Sequence, residues 1–164
     1  MRSFIELNER SVTNIKSIQN NVANISKSVH PKCVVCGSEN LSGLGLQFES
    51  NDDGNVKAVF QCDESFEGYP GILDGGVISS VLDGAMGNCM FVHGLATVTV
   101  EITIRFRQPV LTGQKAVASA RITRNSHPLY LLEAEIIQDG KVKATAKGKY
   151  YEQPQLAHIV GQFS

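Results

Sequence analysis

The sequence predicts an α+β domain in which an antiparallel β-sheet lies against one long central helix. Three observations carry this. Residues 75–92 form an apolar stretch rich in small residues, too long for an ordinary strand. The chain beyond it alternates polar and apolar residues in runs that reach residue 151, the period of half-buried strands. Turn signals at Asn51-Asp52-Asp53-Gly54 and Asp139-Gly140 separate strand-like runs, and strands joined by hairpins pair antiparallel. A helix as apolar as 75–92 must then lie across that sheet to bury its side.

The elements follow in order. Val12, Ile15, Ile18, Val22, Ile25 and Val29 recur at spacings of three and four, one face of an amphipathic helix whose other faces are polar. His30-Pro31 ends it, because the residue before proline is pushed out of helical geometry. From Gly43 the texture is strand-like, with Leu44–Glu49 and Val56–Cys62 as the first two strands. A Pro/Gly turn leads into the central helix from Gly75 to Val92, and Gly94 closes it. In the next run Val98, Val100, Ile102, Ile104 and Phe106 point one way; Thr97, Thr99, Glu101, Thr103, Arg105 and Arg107 point the other. Pro109 and Gly113 break the run. Lys115–Arg124, Leu129–Gln138 and Val142–Tyr151 supply three more strands. The expected organisation is an N-terminal helix over 1–30, a single domain over 31–152 and a C-terminal tail over 153–164.

Composition narrows the function classes. At 164 residues the chain is long enough for one domain with its own core. Its net charge of −1, with Lys and Arg scattered, argues against a nucleic-acid surface. No run approaches the ~20 uninterrupted apolar residues of a membrane span. The first residues turn polar too soon for a signal-peptide core, so a cytoplasmic location is expected. Cys33 and Cys36 form a Cys-x-x-Cys-Gly turn that His30 extends to His-x-x-Cys-x-x-Cys. A closed zinc site usually takes four ligands, and no second ligand pair follows. A redox centre would place the motif at a helix start, whereas here it lies in a Pro/Gly/Ser/Asn-rich loop. The two are read as reduced turn cysteines, with a partial or shared metal site and a redox centre as alternatives; no metal or cofactor is expected.

The segment Gly68-Tyr-Pro-Gly-Ile-Leu-Asp-Gly-Gly-Val-Ile-Ser-Ser-Val-Leu-Asp-Gly-Ala-Met-Gly87 holds the chemistry. A glycine pair, Gly75-Gly76, opens the helix, and one carboxylate, Asp83, sits among small residues. This segment, Cys33-Val-Val-Cys-Gly-Ser-Glu-Asn-Leu-Ser-Gly-Leu44 and Arg105-Phe-Arg-Gln-Pro-Val110 together resemble the small acyl-CoA thioesterases of the phenylacetate-pathway and 4-hydroxybenzoyl-CoA type. The resemblance covers about residues 33–151. It implies a hotdog fold, a curved antiparallel sheet wrapped around the central helix, with the N-terminal helix as an addition. It implies catalysis by Asp83, assisted in some members by a Ser/Thr at the position of Thr99, and sites built across a dimer interface, as a homodimer or a homotetramer. The family usually has His-Gly-Gly at the helix start; here the His position is Asp74. Many members have Glu after the catalytic Asp, where this chain has Gly84.

Elementary chemistry supports the same roles. A thioester carbonyl gains negative charge under attack, and free N–H groups at a helix N-terminus stabilise it. Gly75 and Gly76 carry no side chain to keep substrate from those donors. Asp83 either deprotonates water or attacks directly and forms an anhydride; the sequence does not separate the two. Asp83 lies seven residues past Gly76, or roughly 10 Å along the helix. That separation calls for two subunits, the amides from one and the carboxylate from the other. Val77, Ile78, Val81, Leu82, Ala85, Met86 and Cys89 make the broad apolar side of the helix. Gly76, Ser79, Ser80, Asp83, Gly84 and Gly87 make a narrow side open to a partner or an acyl chain. Asp74, Ser80, Gly68 and Tyr69 are expected near the substrate, and Arg105, Arg107 and Arg124 are candidates for the CoA phosphates. Asp74 is also a strong N-cap, and as such it competes with an oxyanion for the same donors. The expected function is acyl-CoA thioester hydrolysis. A non-catalytic acyl-CoA binding module with a site degraded by Asp74, and a hydratase or dehydratase, are the alternatives.

Overall fold

The computed structural model describes residues 28–156, together with Ser26. The N-terminal helix expected over 1–30 lies outside these residues, apart from Ser26, Ser28 and Val29, which are helical; so does most of the expected tail.

The strands are β1 (Glu49–Ser50), β2 (Val56–Gln61), β3 (Glu67–Tyr69), β4 (Ile72–Leu73), β5 (Thr97–Phe106), β6 (Lys115–Ser126), β7 (Leu129–Gln138) and β8 (Lys141–Glu152), with the central helix, Gly75–Val92, between β4 and β5. Six strands form one antiparallel sheet in the order β1-β2-β6-β7-β8-β5, while β3 and β4 pair as a separate ribbon. The hairpin β7–β8 turns on Asp139 and Gly140, both at positive φ (52° and 70°), the conformation that Asp-Gly supplies most readily.

The sheet accommodates the helix because its inward face is lined with small side chains. Ala116, Ala118 and Ala120 of β6, Ala134 of β7, and Ala144, Ala146 and Gly148 of β8 are all buried. Against them the helix buries Ile78, Val81, Leu82, Ala85, Met86, Cys89 and Met90. Each of the larger ones contributes about 1.5–3 kcal/mol by leaving water. The helix is long and apolar enough by composition to cross a bilayer, yet here it is the core helix of the domain. Gln138, 1% exposed, donates from Nε2 to the Leu111 carbonyl (2.9 Å) and accepts from the Leu111 amide at Oε1 (2.8 Å). That double bond fixes the 107–114 connection to β7.

Three features differ from the sequence expectation. The expected strand Leu44–Glu49 joins the sheet only at Glu49 and Ser50. Upstream, the Leu44 and Leu46 amides donate instead to the carbonyls of Val34 and Val35 (2.7 and 2.8 Å), so the backbone is satisfied by the cysteine loop. The Pro70-Gly71 turn carries a ribbon, β3–β4, on its two arms. Finally, β5 contains a bulge. Thr99 pairs with Tyr150 and Glu101 with Lys149, leaving Val100 as an extra residue. The alternation reverses there, so Thr99 shares the inward face with Ile102 and Ile104, and Val98 lies outward opposite Tyr151.

Candidate active site

Asp83 projects from the middle of the central helix toward the ends of β5 and β8. Its Oδ1 accepts two hydrogen bonds, from Thr99 Oγ1 (2.8 Å) and from Tyr150 Oη (2.6 Å). Tyr150 also reaches the Asp83 carbonyl at 3.3 Å. Among the described residues, Oδ2 has no hydrogen-bond partner. One oxygen is therefore anchored, and the other is left to take a proton or to attack a carbon. The bulge at Val100 makes this possible, since without it Thr99 would face the opposite side of the sheet.

Tyr150 was not among the residues the sequence singled out. It is 2% exposed, and burial, followed by the charge of Asp83, raises its phenol well above the ordinary tyrosine range. It stays a neutral donor to the carboxylate. Gly148 makes room for it: a Cβ there would lie 2.6 Å from the Tyr150 ring and 2.9 Å from Met86 Sδ. The available signal was a tyrosine two residues beyond the inward series Ala144, Ala146, Gly148. Nothing in the sequence tied it to residue 83.

The second cluster surrounds the helix N-terminus. Asp74 is its N-cap, with Oδ1 accepting from the amides of Gly76 (2.7 Å) and Val77 (3.1 Å). Asp74 thus takes the N-cap position expected of it. Among the described residues the Gly75 amide has no acceptor, so of the expected glycine pair one donor is open and the other is engaged. A Phe106 ring lies 3.7 Å from where a Gly75 Cβ would stand. Gly68, on β3, sits beside the Asp74 carboxylate, 3.3 Å from Oδ2 to an added Cβ, and Tyr69 is exposed at the ribbon. Gly71, at φ 77°, turns the ribbon as the residue after Pro70 in a type II turn requires. Ser80 donates to the Gly76 carbonyl (2.9 Å), one turn back along the helix.

The candidate phosphate-binding arginines lie elsewhere. Arg105 is on the outward face of β5 opposite Thr145, and Arg105 and Arg107 line a hollow of about 740 Å³ with Arg121, Lys147, Glu133 and Glu135. Asp83 is reached from the inward face, so within one chain Arg105 and Asp83 are on opposite sides of the sheet. Glu133 pairs there with Arg121 and Lys147, both at 3.2 Å, which hold its carboxyl below the ordinary range. Arg124 is exposed and donates to Ser126 (3.1 Å).

The narrow side of the helix is only partly open. A Cβ on Gly84 would lie 2.6 Å from Val35 Cγ1, so the cysteine loop of the same chain occupies that face; nothing lies within 4 Å of a Cβ on Gly87. Within the loop, the ligand atoms of His30, Cys33 and Cys36 lie within 4.8 Å of one another, and all four cysteines are free thiols. The hydrogen bond from Cys36, then that from His30, pull the Cys33 thiol well below its ordinary range. Cys36, bonded to Cys33 and buried, is pushed up.

A single helix laid across a curved antiparallel sheet, with a carboxylate at mid-helix, defines a hotdog-fold protein. Residues 70–144 match the family model of the Thioesterase superfamily, and the chain has the hotdog fold. Acyl-coenzyme A thioesterase THEM4 of Bos taurus is 35% identical over 71 residues, 42% of this chain and 29% of that protein. The chain thus spans under a third of that relative's length. Among solved structures, the E. coli PaaI protein from the phenylacetic acid degradation operon superposes with a TM-score of 0.70 at 20% identity, covering 83% of this chain and 96% of that one. A hypothetical thioesterase from Streptococcus pneumoniae, solved with coenzyme A, gives 0.62 at 18% identity, covering 66% and 85%.

Proposed function

We propose that the chain hydrolyses an acyl-CoA thioester to the free acid and CoA, with Asp83 as base or nucleophile. The observation that carries this is the asymmetric holding of Asp83: Oδ1 fixed by Thr99 and Tyr150, Oδ2 without a partner. Two hydroxyls thus fix the carboxylate's direction through one oxygen and leave the other free to act on a water or a carbonyl carbon. In the reaction, water or Oδ2 attacks the thioester carbon, the carbonyl oxygen takes up charge, and collapse breaks the C–S bond to release CoA as thiolate. The proton taken from water supplies the leaving sulfur. On the nucleophilic route, water then cleaves the anhydride. The superfamily match and the resemblance to a named acyl-CoA thioesterase support the substrate class.

The oxyanion donor on this reading is the Gly75 amide, with Gly76 joining it when Asp74 releases the cap. Seven residues separate Asp83 from Gly76, roughly 10 Å of helix rise, which is too far for both to serve one carbon. The donors and the carboxylate therefore belong to two subunits of a homodimer, which can pair again into a tetramer. The free edge of β5, with Val98, Val100 and Phe106 exposed, supports such self-association.

A second reading rests on the cap itself. With its carboxylate on the Gly76 amide, Asp74 sets negative charge where the oxyanion would form, and a site so arranged binds acyl-CoA without turning it over. Free-thiol release from short, medium, long and aromatic acyl-CoAs separates the two. Wild type should turn over at least one class, and Asp83→Asn should lose about 10²-fold or more, the usual scale for a base. Background rates for both proteins, with CoA binding retained, would leave the binding module as the function.

A further inference from the structure

We propose that His30, Cys33 and Cys36 bind one Zn²⁺ per chain, and that the ion clamps the loop that covers the central helix next to Asp83. The sequence reading took these cysteines as reduced turn residues. The fold instead brings two sulfurs and an imidazole to within 4.8 Å of one another. Ligands of a tetrahedral zinc stand roughly 3.5–3.8 Å apart, given bonds of about 2.3 Å to sulfur and about 2.0 Å to nitrogen. Closing on an ion therefore needs about 1 Å of side-chain movement. Two thiolates and an imidazole select zinc over the hard, oxygen-seeking cations.

The loop is shaped for this. The Val35 amide donates to Cys33 Sγ at 3.4 Å, and Asn88 Nδ2 donates to Cys36 Sγ at 3.5 Å. Such N–H···S bonds favour thiolate ligands and fix their direction. The Cys33 carbonyl accepts from the Gly37 amide (2.9 Å) and the His30 carbonyl from the Cys33 amide (3.1 Å), which winds the three ligands into one tight turn. Gly37 is required there, since a Cβ would lie 2.4 Å from the Cys33 amide nitrogen. His30 is oriented by the Phe91 ring, edge-on at 4.8 Å. No fourth Cys, His, Asp or Glu joins the group among the described residues, so solvent takes the fourth position. The consequence for the fold runs through Val35, which lies between the two cysteines and fills the space over Gly84, the neighbour of Asp83.

The test uses the full chain, purified without chelator and assayed for metal, then stripped under reducing conditions and titrated with Co²⁺. One equivalent should bind with the sulfur-to-cobalt charge-transfer and intense visible bands of a tetrahedral thiolate site, and Zn²⁺ should displace it. Zn²⁺ should also raise the Tm of the wild type. Cys33→Ser and the exposed-site variant His30→Ala should lose the tetrahedral spectrum and that Tm shift. Reduced wild type that takes up no Co²⁺, gives only an octahedral spectrum, or keeps its tetrahedral bands in both variants overturns the proposal. So does purified protein that carries a Cys33–Cys36 disulfide and binds no metal once reduced. These readouts do not depend on whether the protein hydrolyses acyl-CoA.

Discussion

Asp74 and Asp83 each accept two hydrogen bonds on Oδ1, but from different parts of the fold. Those on Asp74 come from the helix's own first amides, Gly76 and Val77; those on Asp83 come from the Thr99 and Tyr150 hydroxyls of the sheet. Removing the Asp74 carboxylate should therefore trade stability for rate. Asp74→Ala is expected to destabilise the fold by about 1 kcal/mol, the usual worth of a cap, as read by urea unfolding. It should also raise acyl-CoA turnover several-fold by freeing the Gly76 amide and removing the adjacent charge. A lower stability with an unchanged rate would show that the Gly76 amide takes no part in hydrolysis.

The central helix is positioned by what its neighbours lack. Gly84 admits Val35, and Gly148 of β8 admits both Tyr150 and Met86. Gly84→Ala is expected to cost about 1–3 kcal/mol by overpacking against Val35, and Val35→Ala in the same chain should recover part of it; thermal or urea unfolding of both variants measures this. The ends of this helix were legible in the sequence because local chemistry sets them. Asp74 caps one end, and Gly94, at φ 71°, reverses the chain at the other. The strand Leu44–Glu49 was only half legible: its alternation buries Leu46 and Phe48, but its upstream hydrogen bonds go to residues 34 and 35, a pairing no pattern announces. The carboxylate of the site was readable from its cost among small residues. Of the hydroxyls that hold it, Thr99 was named through the family resemblance but placed on the wrong face, because the bulge is invisible to a period-two count; Tyr150, distant in sequence, was not named.

For the molecule as a whole, the exposed edge of β5 matters most. Val98 is 39% exposed, Val100 59% and Phe106 57% on a ten-residue edge strand, a surface that in isolation invites pairing with another chain. Val100→Lys should shift the protein from dimer to monomer in light scattering coupled to size exclusion, and acyl-CoA hydrolysis should fall with it, because each proposed site needs two subunits. A monomer that keeps full activity would place both halves of the site in one chain. The bulge in β5 has a wider bearing. A strand with an odd residue is a parity device: it lets a hydroxyl on one side of Val100 and aliphatic side chains on the other face the same helix. Pairing Val100 in regular register would leave the composition untouched, yet Thr99 would turn outward while Ile102 and Ile104 stayed in place. Comparisons that gap the strand one position away would exchange Thr99 for a valine, and the acid would lose its hydroxyl partner on paper before any was lost in the molecule.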